Sequence, residues 1–202
     1  MAEIKKSGEG KYLLPDASNY DGSKYRKALN TVDICICRVF EGQLQVLLIK
    51  RKYPPYAEKW AICGGFVDIN KDEGLRDAAQ RELFEETGVK GVEVHQLGTY
   101  GDDAYRDPRD RTISTVYFAL LSPEKVASLS LLAGDDAKEV CWMNINALSN
   151  LAFDHEQILK DLRVKISKSL HYQSFAFELA PQEFTWAQLR VVFETLLDKK
   201  LI

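Results

Sequence analysis

Residues 76–91 read RDAAQRELFEETGVKG and place Glu82, Glu85 and Glu86 within five residues, directly after Arg81. Leu75, Ala79 and Leu83 fall at i, i+4 and i+8, the spacing of one buried helical stripe. A helix is therefore expected from about Asp72 to Thr87, with Asp72 capping its start and Gly88 supplying the left-handed residue at its end. On that helix the three glutamates share one edge. Their mutual repulsion costs only about 0.2–0.5 kcal/mol per pair, so a solvated acidic face is one admissible reading. The preceding stretch, Cys63-Gly64-Gly65-Phe66-Val67, supports another. Glycines let backbone carbonyls and a ligand approach closely. One carbonyl plus three carboxylates is an all-oxygen set suited to Mg²⁺ or Mn²⁺. Arg81 and Glu73, eight residues apart, are expected to pair and brace the joint between loop and helix.

Around this helix the chain is rich in strands. TVDICICRVF (31–40) and QLQVLLIKRK (43–52) flank a Glu41-Gly42 turn and read as a hairpin. WAICGGFVD (60–68) is extended with a Gly-Gly kink, and further strands are expected at 92–101, 111–121 and 138–145. Helices are expected over 155–170 and 185–197. Strands before and after a helix, without a repeating strand–helix period, point to an α/β fold with a mixed sheet and helices packed on it.

The 202 residues suffice for one domain, or one domain with a small appendage, and 46% hydrophobic residues supply a core. The net charge of −3 excludes a global basic field for nucleic acid. No apolar run of about 18 residues and no signal-peptide pattern is present, so a cytoplasmic protein is expected. The four cysteines fit that compartment: Cys35, Cys37 and Cys141 read as small buried hydrophobes and Cys63 as a loop thiol.

GGFVDINKDEGLRDAAQRELFEETGV resembles the Nudix box, G-x5-E-x7-R-E-U-x-E-E-x-G-U, with U bulky and apolar. The matching residues are Gly65, Glu73, Arg81, Glu82, Leu83, Glu85, Glu86, Gly88 and Val89. Seven residues rather than five separate Gly65 from Glu73, a loop extension of two. The resemblance implies a Nudix α/β/α sandwich and divalent-metal hydrolysis of a nucleoside diphosphate linked to another group. It makes Glu82, Glu85 and Glu86 the catalytic metal ligands, with the Gly64 carbonyl as a fourth, and gives Arg81 and Glu73 structural roles.

LGTYGDDAYRDPRDRTISTVYFALL is similar to a subgroup holding ADP-ribose pyrophosphatases and Nudix-related regulators of NAD metabolism. In that light Arg51, Arg106, Arg109 and Gly65 are candidate substrate-binding residues; Arg suits bidentate phosphate contacts. The bland alternatives are Asp–Arg pairs on a solvated loop and an exposed strand end. Tyr100 and Tyr105 can stack on a base or pack in the sheet, with core packing favoured for Tyr100. A general base is sought in AGDDAKEV (133–140), with Asp136 the candidate beside Asp135 and Glu139; a cap on the neighbouring element is the alternative for these acids, and a box glutamate the alternative base. His155 reads as a structural cap or core group, and Trp60 and Trp142 as core.

The C-terminal stretch resembles the start of a winged-helix domain, with FELAPQEFTWAQLRVVFETLL matching its first strand and helix. The chain stops at Leu201-Ile202, so a recognition helix is expected to be absent. Three parts are expected: an arm over 1–29, the Nudix domain over 30–153 and a truncated winged-helix-like segment over 154–202. The favoured reading is a Mg²⁺-dependent ADP-ribose pyrophosphatase, a homodimer by the habit of its subgroup; the alternative is an ADP-ribose-sensing transcriptional regulator. DNA is not the expected partner on the first reading.

Overall fold

Leu29–Phe40 forms the long strand β3, as its β-branched composition demands. The architecture comes from a computed structural model that describes residues 21–129, 131, 137–170 and 175–201, with the backbone of two short paired strands, β1 (Lys5–Lys6) and β2 (Tyr12–Leu13). A turn at Glu41-Gly42 leads from β3 to its antiparallel neighbour β4 (Gln43–Arg51). Strands β5 (Trp60–Ala61) and β6 (Cys63–Phe66) follow, then helix α1 (Leu75–Thr87). Beyond it come β7 (His95–Tyr100), β8 (Thr112–Leu121), the short helix α2 (Pro123–Ala127) and β9 (Ala137–Asn144). The helices α3 (His155–Ser169), α4 (Phe175–Leu179) and α5 (Trp186–Leu197) complete the described chain.

The sheet is mixed. Its path runs β5-β4-β3-β8-β7, with β6 paired to β3 and β9 to β4. Strands β3 and β8 are parallel over ten register pairs, while every other pairing is antiparallel. Residues 31–37 are all buried, because β3 is covered on both faces. Alternate side chains divide between two cores. Ile34, Ile36, Leu47 and Ile49 pack with Ala78, Ala79 and Leu83 of α1. Cys35, Cys37, Val46, Leu48 and Phe118 pack with Ile158, Leu162 and Ile166 of α3 and with α4 and α5. The result is the expected α/β/α sandwich.

Several local expectations need correction. Helix α1 starts at Leu75 rather than Asp72; its N-cap is Gly74, and no side chain caps it. Leu75 is not in the buried stripe but largely exposed, and Ala78 takes its place beside Ala79 and Leu83. Gly88 does close the helix in the left-handed region, with its N–H on Phe84 O. The strand expected at the start of FELAPQEF is instead the end of helix α4, because Phe175 and Leu179, four residues apart, both turn into the core. Helix α5 begins as a capping box between Thr185 and Gln188. Cys63 is buried in β6, and Cys141 is exposed. Among the described strands β9 pairs with β4 alone. Trp60 and Trp142 are partly buried against the two cores, and Tyr100 packs likewise with its hydroxyl on Asp161.

Candidate active site

Strand β6 lies between β3 and the acidic edge of α1, which brings the two glycines onto the glutamates. Asp33 pairs in register with Gly64 and Val32 with Gly65. The Gly64 N–H donates to Glu86 Oε2 at 2.8 Å. A Cβ on Gly65 would lie 2.4 Å from Glu82 Oε2, so only glycine leaves room for that carboxylate. Glu86 is 7% exposed, and burial pushes its carboxyl well above the usual carboxylate range. Burial also raises Glu82, against the opposing pull of Arg81. These acids are costly to ionise there without a cation.

Arg81 is the joint of the site, but its partner is Asp72 rather than Glu73. Nε and one terminal nitrogen of Arg81 grip the two Asp72 oxygens at 2.7 and 2.8 Å, and the same terminal nitrogen donates to Phe66 O at 3.0 Å. The loop turns back at Asp68, which binds Asp72 through Asp68 N–H to Asp72 Oδ2 and Asp72 N–H to Asp68 O. That turn brings Asp72 rather than its neighbour under the guanidinium. The other Arg81 nitrogen reaches Glu82 Oε1 at 2.7 Å and Glu85 Oε2 at 3.0 Å.

These residues line a cleft of about 640 Å³, within the usual size of small-molecule sites. Glu82, Glu85, Glu86, Gly64 and Gly65 form one side; Arg51, Arg106 and Arg109 also face into it. Arg106 is buried rather than spread on a solvated loop, and it clamps Asp154 at 2.7 and 2.8 Å while lining the cleft. Arg109 chelates Asp107, and its guanidinium lies 4.6 Å from the Phe66 ring centre. Arg51 donates to Pro55 O at 2.8 Å and stacks on Phe153 at 5.0 Å. Tyr105 is 89% exposed and lies outside this cleft. Asp135 and Asp136, the candidate base, lie outside the described residues; Glu139 pairs with Lys50 at 2.9 Å and is not in the cleft wall.

Three residues of the cleft were not expected from the sequence as site groups. Asp33, 8% exposed, accepts a hydrogen bond from Ser114. His155 accepts the Ile62 N–H on Nδ1 at 2.9 Å, which leaves the ring proton on Nε2, 3.7 Å from Asp33 Oδ1. Burial lowers its pKa, so the imidazole is neutral. Phe153 meets both Arg51 and Arg109, whose guanidiniums lie 5.0 and 5.6 Å from its ring centre. The signal for Asp33 was available: a lone carboxylate within the apolar run TVDICICRVF is costly to bury without a purpose.

The model of the NUDIX domain matches residues 29–162, two thirds of the chain. The chain belongs to the Nudix family. Its box helix, glycine kink and sandwich are those of a Nudix hydrolase. The chain is 40% identical over 141 residues to an ADP-ribose pyrophosphatase of Methanocaldococcus jannaschii, covering 70% of this chain and 78% of the relative. It is 33% identical over 184 residues to the ADPR-responsive transcriptional repressor NtrR of Acinetobacter baylyi, covering 91% of this chain and 72% of the relative. The Nudix domain of Shewanella oneidensis NrtR, solved with ADP-ribose, superposes with a TM-score of 0.65 at 31% identity, covering 73% of this chain and 94% of that one. Among the described residues, no helix is long and apolar enough to cross a membrane.

Proposed function

We propose that this Nudix hydrolase cleaves the pyrophosphate of ADP-ribose to AMP and ribose 5-phosphate with the help of Mg²⁺ or Mn²⁺. The observation that carries the reading is the acidic edge of α1 set against Gly64 and Gly65 in a cleft that also holds Arg51 and Arg109. The donor set fits a hard divalent ion in its chemistry: three carboxylates and a carbonyl, two of the acids raised by burial. Among the described residues no three acidic, His or Cys side chains are already gathered about one point, and Arg81 competes for Glu82 and Glu85. Glu82, Glu85, Glu86 and the Gly64 carbonyl are the groups that would hold the ion. When bound, it would neutralise pyrophosphate charge and acidify an attacking water.

The chain's own residues supply the rest. Arg51 and Arg109 orient the phosphates by charge-assisted contacts. Arg81, locked on Asp72, holds the glycine loop against α1. Asp136 remains the proposed base. We also assign the protein to the cytoplasm as a homodimer, with an arm over 1–29, the hydrolase domain over 30–153 and the C-terminal segment over 154–202.

The second reading, an ADP-ribose-responsive DNA-binding regulator, is favoured by one observation: the similarity to the Acinetobacter repressor spans 91% of the chain, where that to the pyrophosphatase spans 70%. The test is release of AMP from ADP-ribose under Mg²⁺ by the parent protein and by Glu86→Gln. Turnover that Glu86→Gln abolishes, with the fold intact, supports the enzyme. No turnover by the parent, together with DNA binding reversed by ADP-ribose in a gel shift, supports the regulator.

A further inference from the structure

The turn into α3 places Phe153 and His155 on the cleft, with Asp154 behind them on Arg106. Phe153 faces the arginines, Asp154 clamps Arg106, and His155 takes the Ile62 N–H. Phe153 is the unusual member. Its φ is +51°, a left-handed conformation that a bulky side chain rarely adopts and that is kept where the surroundings enforce it. Here they do: the Ala152 N–H is tied to Trp60 O at 2.8 Å, and the Asp154 carboxylate is held by Arg106 on both oxygens. Such strain in a cleft wall calls for a functional explanation.

The ring that this backbone projects is shared by two cations. The Arg51 guanidinium lies 5.0 Å from its centre and that of Arg109 lies 5.6 Å away. Tyr56 meets the same ring edge-on at 4.8 Å, and Phe66 lies 4.6 Å from Arg109. Two guanidiniums beside one ring repel each other as charges, and the attraction of each to the aromatic quadrupole offsets that repulsion. Stacking engages the planar face of a guanidinium, and Nε and one terminal nitrogen of Arg109 are on Asp107, so recognition of an oxyanion there falls to its other terminal nitrogen.

We propose that Phe153 is a positioning residue that holds Arg51 and Arg109 together in the cleft to receive the diphosphate of the ligand. This rests on the reading of the cleft as a nucleoside-diphosphate site, and it adds the group that sets the geometry of the anion clamp. Phe153 touches the arginines, not the bond that breaks. Its loss therefore weakens binding and spares the chemical step.

The experiment compares the parent protein with Phe153→Leu, Phe153→Tyr and Phe66→Leu. Two probes, ADP-ribose and inorganic pyrophosphate, are titrated by calorimetry without divalent metal, and steady-state rates are measured with Mg²⁺. Phe153→Leu is expected to raise KM and both dissociation constants roughly tenfold, with kcat within about threefold of the parent. Phe153→Tyr, which keeps the ring, is expected to return them to within about threefold. Phe66→Leu strips only one face of Arg109 and is expected to weaken pyrophosphate several-fold; it decides the matter should Phe153→Leu fail to fold. Unchanged pyrophosphate affinity in the folded leucine variants overturns the proposal, as does a fall in kcat at constant KM. A parent that binds pyrophosphate but not ADP-ribose refutes the substrate reading alone, since loss of pyrophosphate binding in Phe153→Leu still supports the clamp. A parent that binds neither refutes both.

Discussion

Gly64 and Gly65 are adjacent, yet alanine at each should fail for a different reason. A Cβ on Gly64 would lie 2.3 Å from Val32 O, 2.5 Å from Asp33 Oδ1 and 2.9 Å from Asp33 Cα. Two of these atoms are backbone of the paired strand, so β3 and β6 must move apart across their four-pair ladder. Overpacking of this kind costs about 1–3 kcal/mol, against a gain of about 0.4–1 kcal/mol from a stiffer unfolded chain. A Cβ on Gly65 would instead meet Oε2, Cδ and Oε1 of Glu82 at 2.4, 2.5 and 2.6 Å, all at the end of a flexible side chain. That carboxylate can swing away at little cost to stability. Thermal denaturation followed by circular dichroism should then separate the two. Gly64→Ala should melt lower by several degrees, at roughly 2–4 °C per kcal/mol for a chain of this size. Gly65→Ala should melt close to the parent, yet release AMP on the order of 100-fold more slowly, the scale of losing one electrostatic stabiliser at a reacting centre. A Gly65→Ala protein of parental activity would show that the position of the Glu82 carboxylate does not matter to the reaction. A Gly64→Ala protein of parental stability would refute the steric argument for β6.

Other outcomes follow from the same geometry. Asp72→Asn removes half of the charge pair that anchors Arg81 and should destabilise the fold by about 1–3 kcal/mol in urea denaturation, whereas Glu73→Gln should do so by less than about 0.5 kcal/mol. His155 is neutral in the fold because burial lowers its pKa, while the unfolded chain takes up a proton as the pH drops below about 6.5. The unfolded state then binds more protons, so this contribution to stability is complete above pH 6.5 and is lost on acidification. The difference in stability between pH 7.5 and 5.5 should shrink in His155→Gln, whose side-chain oxygen can still accept the Ile62 N–H. Of the four thiols only Cys141 is exposed, and burial pushes Cys37 up to about 12 and raises Cys35 and Cys63 well above the ordinary thiol value. One equivalent should react with a disulfide reagent in the native protein and four after denaturation.

What the sequence made legible was local. The spacing of Glu82, Glu85 and Glu86 placed them on one edge of a helix by helical period alone, and Gly88 marked its end because glycine readily takes the left-handed backbone a helix stop requires. The Arg81 partner was misread because the choice between Asp72 and Glu73 depends on how the loop turns at Asp68, which no period reports. Cys63 and Cys141 exchanged roles because burial depends on what packs over a strand: β6 and β9 each pair with one strand, but Cys63 lies in the core beneath α1 and Cys141 does not. Phe153 carried no local signal at all. Its importance arises from contacts with Arg51 and Arg109, which lie on other parts of the chain and converge only in the folded molecule.

On the proposed function, the acidic edge of α1 gathers a divalent cation beside Gly64 to split a phosphoanhydride. Anomalous diffraction from a crystal soaked with Mn²⁺ and a non-hydrolysable ADP-ribose analogue tests it most directly. Manganese peaks are expected within bonding distance of the Glu86 carboxylate and of at least one of Glu82 and Glu85, with the analogue's diphosphate against them and near Arg109. An analogue bound elsewhere, or bound in this cleft with no manganese on those carboxylates, would contradict it.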